Sequence, residues 1–148
     1  MLRTYVRPEA VHEVRLAALR HGHPSATIRC MSRSVLIVDD HPSFRASARA
    51  MLESEGFVVV GEAENGAGAI DAVELLSPDV VVLDVQLPDM TGFDVCAALQ
   101  RLDGAPPDII LVSSRDLSDY GELVSTSCAC GFVAKDELSG DLVSALLP

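Results

Sequence analysis

A small set of polar side chains follows apolar runs of the sequence, and these residue types together could do phosphoryl chemistry. The acidic pair Asp39-Asp40 follows the run VLIV, Asp84 lies near the end of DVVVLDV, and Lys135 ends GFVAK. Ser113 lies near the end of a fourth run, DIILVSS. Carboxylates bind hard divalent ions such as Mg²⁺, and a carboxylate can also act as a nucleophile. A hydroxyl and an ammonium group can both hold a phosphoryl group.

Acidic side chains collect at one point only if their repulsion is compensated. Two full charges about 5 Å apart repel by about 3 kcal/mol at an effective dielectric constant of about 20. Three carboxylates would therefore take up a proton or bind a cation. Taken singly, the residues have simpler interpretations: Asp39-Asp40 as a helix N-cap with a solvated neighbour, Asp84 as a turn former and Lys135, the only lysine, as a surface residue. The prediction of a site depends on their being brought together.

The elements that must position these residues alternate between strands and helices. Short apolar runs rich in β-branched residues predict five buried strands, at 35–38, 57–63, 79–85, 108–114 and 131–135. Apolar residues at helical spacing predict helices between and after them, at 42–55, 67–76, 92–99, 117–129 and 138–147. This alternation predicts an α/β fold with a doubly wound, five-stranded parallel sheet and helices on both faces. The polar residues then share the carboxyl edge of the sheet, where such folds bind ligands.

Composition and charge limit the class of protein. The chain has 148 residues, of which 49% are hydrophobic, enough for one domain with a real core. Its net charge is −11, and the charge is divided unevenly, with +4 on residues 1–34 and −15 on residues 35–148. No apolar run approaches the ~18 residues of a membrane span. We expect a cytoplasmic protein without membrane association and without direct nucleic acid binding, because phosphates would repel it.

The change in composition near Ser34 predicts an N-terminal extension of residues 1–33 and a single domain of residues 34–148. Within the extension, a Pro-Glu pair, apolar residues at helical spacing and a following glycine favour a short helix. These residues are Pro8, Glu9, Val11, Val14, Ala18, Leu19 and Gly22. Over such a docking or targeting helix we favour a flexible tail, or a translation start at Met31.

Four motifs together resemble the receiver domain of response regulators in two-component signalling, in a single-domain form. They are VLIVDDHPSFR, PDVVVLDVQLPDMTGFDV, ILVSS and GFVAKDEL, and they occur in the order and spacing of that family. The resemblance covers about residues 34–147 and implies the flavodoxin-like strand order 2-1-3-4-5. The chain ends after the fifth helix, so we expect output through protein contact, unless the chain is part of a longer regulator.

The resemblance implies a role for each acidic residue of the site. Asp84 would be the phosphoacceptor, which receives a phosphoryl group from the phosphohistidine of a sensor histidine kinase or a phosphotransfer protein. Asp39, Asp40 and Asp84 would bind Mg²⁺, and the backbone carbonyl of Gln86 would complete the protein ligands.

The same resemblance implies how a signal leaves the site. Ser113 and Lys135 would contact the phosphoryl group, and Pro88 and Gly92 match the loop after the acceptor. Ser113 would move toward the phosphoryl group and Phe132 would rotate inward. The face formed by the fourth helix, fifth strand and fifth helix would change shape and bind a downstream protein or form a homodimer. We also expect the fourth helix to be the most mobile helix, because it is poor in strong helix formers.

The family resemblance implies a protein that is not an enzyme in the ordinary sense, since it assists only its own phosphorylation and dephosphorylation. One alternative is a Mg²⁺-dependent phosphohydrolase with an aspartyl nucleophile. VDDH lacks the D-x-D context of such enzymes, and the sequence has no insertion large enough for a substrate cap. Another alternative is a receiver domain retained as an interaction scaffold, although all of the expected site residues are present.

Overall fold

Strands and helices alternate along the chain in the computed structural model, which describes residues 4–6 and 32–148. The strands are β1 (Thr4–Val6), β2 (Ser34–Val38), β3 (Val58–Ala63), β4 (Val80–Asp84), β5 (Asp108–Ser113) and β6 (Gly131–Ala134). The helices are α1 (Pro42–Ser54), α2 (Gly66–Leu76), α3 (Gly92–Leu99), α4 (Leu123–Thr126) and α5 (Gly140–Leu146). Two 3-10 turns cover Leu117–Tyr120 and Lys135–Glu137.

Five of the strands form the predicted parallel sheet. They lie side by side in the order β3-β2-β4-β5-β6. Counted from β2, this is the order 2-1-3-4-5, so the predicted fold class is confirmed. Since the five strands run in the same direction, their carboxyl ends meet at one edge of the sheet.

A sixth strand, which the sequence did not predict, extends the sheet beyond β6. Strand β1 pairs antiparallel with β6, and the backbone register runs from Thr4 opposite Val133 to Val6 opposite Gly131. The outer edge of β6 is therefore covered by backbone from the start of the chain. The helix predicted near residues 8–22 lies outside the described residues.

The apolar side chains of the parallel strands alternate between two cores, one on each face of the sheet. One face packs against α2, α3 and α4, and its largest strand residues are Leu36, Leu83, Ile109, Leu111 and Phe132. The other face packs against α1 and α5, and its strand residues include Val35, Ile37, Val82, Ile110 and Val133. Both faces are covered, which is why the strands read as continuous apolar runs.

The predicted helix at 117–129 is wrong in its length. The structure has a 3-10 turn at Leu117–Tyr120, then Gly121 at φ +56°, and then the four-residue helix α4. Three hydroxyl side chains nearby donate to backbone carbonyls three or four residues earlier: Ser125 and Thr126 to Glu122, and Ser127 to Val124. Such bonds compete with regular helix hydrogen bonding, and the left-handed glycine interrupts the helix before it.

The leucines at the end of the chain cover the sheet. Leu146 and Leu147 are buried and belong to the core on the side of α1 and α5. These two leucines therefore pack over the sheet and do not form an exposed apolar surface. In the described part of the chain, every helix is too short or too polar to cross a bilayer.

Candidate functional site

Four parallel strands deliver the candidate residues to the carboxyl edge of the sheet. Asp39 directly follows β2, Asp84 ends β4, Ser113 ends β5 and Lys135 directly follows β6. Asp39 and Asp84 are the buried acids of the described residues, with 0% and 3% of their surface exposed. Asp40 is exposed beside them. The structure therefore brings together residues that are as much as 96 positions apart in the sequence.

Lys135 lies between the two buried carboxylates. Its Nζ is 2.5 Å from Oδ2 of Asp39 and 3.0 Å from Oδ2 of Asp84. The same ammonium group lies 4.8 Å from the ring centroid of Phe44, within cation–π range. One positive charge thus partly neutralises two buried negative charges.

Burial and ion pairing act in opposite directions on the charged groups of the site. Burial raises the pKa of Asp84 above its usual value, although the Gln86 amide and Lys135 both act to lower it. For Lys135 the order is reversed: burial acts to lower its pKa, but contacts with Asp39 and Asp84 together prevail and the pKa is raised. Lys135 therefore stays an ammonium group at neutral pH.

The donor set of this edge fits a hard divalent cation. Oδ2 of Asp39 is buried, and its polar contact within the described residues is the ammonium group of Lys135. Asp39, Asp40, His41 and Asp84 each offer one ligand atom, and these atoms lie within 4.8 Å of one another. Three carboxylates form a mainly oxygen donor set, which Mg²⁺ prefers.

The sequence favours His41 as a surface residue at a helix N-terminus, with a position beside the metal site as the alternative. His41 is the N-cap of α1 and its side chain is 65% exposed, as expected, but it also contacts the acids of the site. Its Nδ1 lies 2.9 Å from Oδ1 of Asp39 and 3.0 Å from Oδ1 of Asp40, and its amide donates to Asp39 at 2.8 Å. The imidazole links the two acids at the N-terminus of α1. Its position directly after the acidic pair was the available signal, but sequence adjacency alone does not orient a side chain.

The loop after Asp84 holds the Asp84 carboxylate in place. The Gln86 amide donates to Oδ1 of Asp84 at 3.1 Å. Gly92 packs against the backbone of Asp84 so closely that a Cβ there would lie 2.6 Å from the Asp84 carbonyl oxygen. Gln86 and Gly92 thus lie where the motif places them, while the metal-binding role of the Gln86 carbonyl stays a prediction.

The hydroxyl of Ser113 is engaged away from the acidic cluster. Its Oγ lies 2.6 Å from Oη of Tyr120 and accepts a hydrogen bond from the Arg115 amide at 3.0 Å. Phe132 is fully buried, with its ring centroid 5.8 Å from that of Tyr120. The Phe132 ring thus already lies in the core in this structure, and its rotation on phosphorylation stays a prediction. Tyr120 was missed because its contact with Ser113 exists only after folding.

Comparison with known proteins identifies the family. The sequence profile of the response regulator receiver domain matches residues 35–147. The chain belongs to the response-regulator receiver family. It is therefore a receiver domain of two-component signalling, as the motifs around Asp39, Asp84 and Lys135 indicated.

Individual relatives agree with this assignment. The nitrate/nitrite response regulator protein NarP of Escherichia coli K12 is 39% identical over 113 residues, which cover 76% of this chain and 52% of NarP. This chain thus spans about half the length of the curated relatives that it matches. A LuxR-family two-component response regulator from Aurantimonas has a similar structure, with a TM-score of 0.69 and 29% identity over 77% of this chain and 81% of that one.

A more distant structure supports the fold alone. The CheY-like receiver domain of Methylobacillus flagellatus aligns with a TM-score of 0.68 at 20% identity. The alignment covers 79% of this chain and all of that one. The parallel sheet is thus retained where most side chains differ.

Proposed function

We propose that this chain is a phosphorylation-dependent signalling switch that accepts a phosphoryl group on Asp84. The donor is the phosphohistidine of a sensor histidine kinase or a phosphotransfer protein. The observation that carries the proposal is the position of Asp84, a buried carboxylate held by an amide and by Lys135 beside a cation-binding donor set. Membership of the receiver family supports the same role.

The transfer step uses the carboxylate as a nucleophile. One oxygen of Asp84 attacks the phosphorus atom, the P–N bond to the donor histidine breaks, and the imidazole leaves with the bonding electron pair. The Gln86 amide and Lys135 each hold one oxygen of the carboxylate, so its orientation is set before the donor arrives. The ammonium of Lys135 then balances charge on the new aspartyl phosphate.

Asp39, Asp40 and Asp84 would hold Mg²⁺, and the carbonyl of Gln86 would complete the set of protein ligands. The ion would neutralise negative charge on the oxygens of the transferring phosphoryl group. The grouping of one ligand atom from each of these acids within 4.8 Å supports this assignment.

The protein acts on itself and not on a separate substrate. We propose that its own residues assist both phosphorylation and hydrolysis of Asp84, and that the output is contact with a downstream protein. The charge of −15 on residues 35–148 favours a protein surface over nucleic acid as the direct partner of this domain. The face of α4, β6 and α5 is the proposed contact surface, for a partner or for a second copy.

Acetyl phosphate and Mg²⁺ test the acceptor directly. We expect wild-type protein to gain the mass of one phosphoryl group, measured by intact-mass spectrometry, and Asp84→Asn to gain none. The matched control is Asp103→Asn, the same change at an exposed aspartate beyond the opposite end of α3. It should be phosphorylated like the wild type.

Two results would contradict the proposal. Equal phosphorylation of Asp84→Asn and wild type would remove Asp84 as the acceptor. Steady multiple-turnover hydrolysis of a generic phosphate ester, lost in Asp84→Asn, would favour the phosphohydrolase alternative.

A further inference from the structure

The Ser113 hydroxyl can form its hydrogen bonds with its neighbours in this structure or with a phosphoryl group on Asp84. In this structure its hydrogen bonds go to Tyr120 and to the Arg115 amide, and within the described chain none goes to Asp84. A serine hydroxyl has a single proton, so a Ser113 that donates to Tyr120 has none left for a phosphoryl oxygen. Rotation of the Ser113 side chain toward a phosphoryl group on Asp84 also carries Oγ away from the Tyr120 hydroxyl, and the contact is then broken whichever hydroxyl is the donor.

Apolar packing holds Tyr120 in place. Its ring lies between those of Phe93 and Phe132, and each pair of ring centroids is 5.8 Å apart. Phe93 lies in the first turn of α3 and Phe132 lies in β6, so the tyrosine ring is fixed by two neighbouring elements. Its hydroxyl is thereby presented to Ser113 at 2.6 Å, a short distance for a hydrogen bond between two hydroxyls.

The segment that carries Tyr120 has little regular structure to hold it. It consists of the 3-10 turn Leu117–Tyr120, a glycine at φ +56° and the four-residue helix α4. Val124 is buried, whereas Leu123 is 55% exposed. With few buried anchors, the segment depends on the Tyr120 contacts more than a longer helix would.

We propose that Tyr120 is a positioning residue that holds the Ser113 hydroxyl away from Asp84 until Asp84 is phosphorylated. Phosphorylation of Asp84 then breaks the Ser113–Tyr120 hydrogen bond and makes residues 117–126 more mobile. This inference rests on the proposed function, because it concerns what the phosphoryl group does after it arrives. It assigns the regulation of the site to a contact between β5 and the turn that follows it. The free energy needed to break the Ser113–Tyr120 hydrogen bond opposes phosphorylation of Asp84.

Beryllofluoride with Mg²⁺, a phosphoryl mimic, tests this on the full chain. Tyr120→Phe keeps the ring and removes only the hydroxyl. We expect the variant to bind beryllofluoride about fivefold more tightly than the wild type, the factor that corresponds to one hydrogen bond of ordinary net strength. In a Ser113→Ala background, the same tyrosine change should leave the affinity unchanged, since no hydroxyl is left to hold.

Hydrogen exchange provides a second test, because it reports the mobility of residues 117–126 and not the affinity for beryllofluoride. In the wild type, beryllofluoride should speed amide exchange in residues 117–126. In Tyr120→Phe, these amides should already exchange faster before beryllofluoride is added. Equal or weaker binding by Tyr120→Phe, or a gain in affinity that persists without the Ser113 hydroxyl, would overturn the inference. Wild-type protein that fails to bind beryllofluoride would instead refute the proposed function.

Discussion

At the scale of single residues, the site is a balance of buried charges. Asp39 and Asp84 are almost fully buried, and Lys135 contacts both. Removing one member of such a set leaves the others without compensation in a region of low dielectric. The ammonium group of Lys135 is therefore the charge that compensates the two buried carboxyl groups among the described residues.

We expect Lys135→Met to lower the free energy of unfolding at about pH 7 by about 1–3 kcal/mol. Without the ammonium group, the pKa of Asp84, already raised by burial, rises further. A carboxyl group whose pKa is raised in the folded state loses stability as pH increases through that pKa, so the deficit should shrink toward pH ~5. Urea unfolding at both pH values measures it. Lys135→Arg keeps the positive charge and should lose less unfolding free energy than Lys135→Met. A loss of stability in Lys135→Met that does not depend on pH would contradict this explanation.

The backbone of Asp84 is as constrained as its side chain. Gly92→Ala would place a Cβ 2.6 Å from the Asp84 carbonyl oxygen, where only backbone can yield. We expect a loss of about 1–3 kcal/mol in unfolding free energy and slower phosphorylation by acetyl phosphate. Gly61→Ala is the control, since its Cβ would meet chiefly the flexible end of Leu76. A Gly92→Ala protein with normal stability and normal phosphorylation would show that the loop moves freely.

At the scale of elements, helix termini and sheet edges tie the site loops to the rest of the domain. Asp89, in the loop after β4, accepts hydrogen bonds from the Gly66 and Ala67 amides at 2.7 Å and 3.0 Å. A residue of the motif LPDMTG therefore caps the N-terminus of α2 from a distance. These amides lower the pKa of Asp89.

Asp89→Ala should lower the melting temperature at about pH 7, because two amides at the start of α2 lose their acceptor. A group whose pKa is lowered by folding stabilises above its unfolded pKa, and that contribution disappears as pH falls through the lowered pKa. The difference from wild type should therefore close below pH ~4. Thermal melts across this range measure it, with Asp103→Ala as the exposed control. A difference in melting temperature between the variant and the wild type that stays constant with pH would contradict the capping role of Asp89.

Strand β1 covers the outer edge of β6, and its removal tests what that pairing contributes. A chain of residues 32–148 keeps the whole region matched by the receiver profile. We expect it to fold and to show faster hydrogen exchange in β6, whose edge loses its neighbour. Exchange mass spectrometry of peptides spanning 131–134 measures this. Unchanged exchange would mean that the pairing contributes little protection.

At the scale of the whole molecule, an acidic chain carries the buried acids of its described residues at one edge of the sheet. The net charge is −11, and the cluster of Asp39, Asp40, His41 and Asp84 lies where β2 and β4 end. A cation bound there adds stability to the folded state, because the unfolded chain does not bring these ligands together.

Mg²⁺ should therefore raise the melting temperature of the wild type. At 100 times the dissociation constant, the added stability is about 2.7 kcal/mol. Scanning calorimetry with MgCl₂, against NaCl at equal ionic strength, separates specific binding from screening. Asp40→Asn should weaken the effect while Asp103→Asn keeps it. Equal stabilisation by the two salts would argue against a specific site.

Much of this fold could be predicted because its signals are local. The apolar runs that became β2 to β6 and the helical spacing of α1 to α3 and α5 depend on neighbours along the chain. The placement of Asp39, Asp84 and Lys135 at one edge then follows from parallel strands. These features were determined by the sequence itself.

Other features were decided only by tertiary structure. The pairing of β1 with β6, the cap that Asp89 provides for α2 and the bond between Ser113 and Tyr120 all join different segments of the chain. In residues 117–129, helical spacing competed with Gly121 and with hydroxyl side chains that bond to nearby carbonyls, and the pattern alone did not show which would prevail. Periodicity records which face of an element is buried, whereas partners across the molecule are chosen by packing geometry that no local pattern encodes.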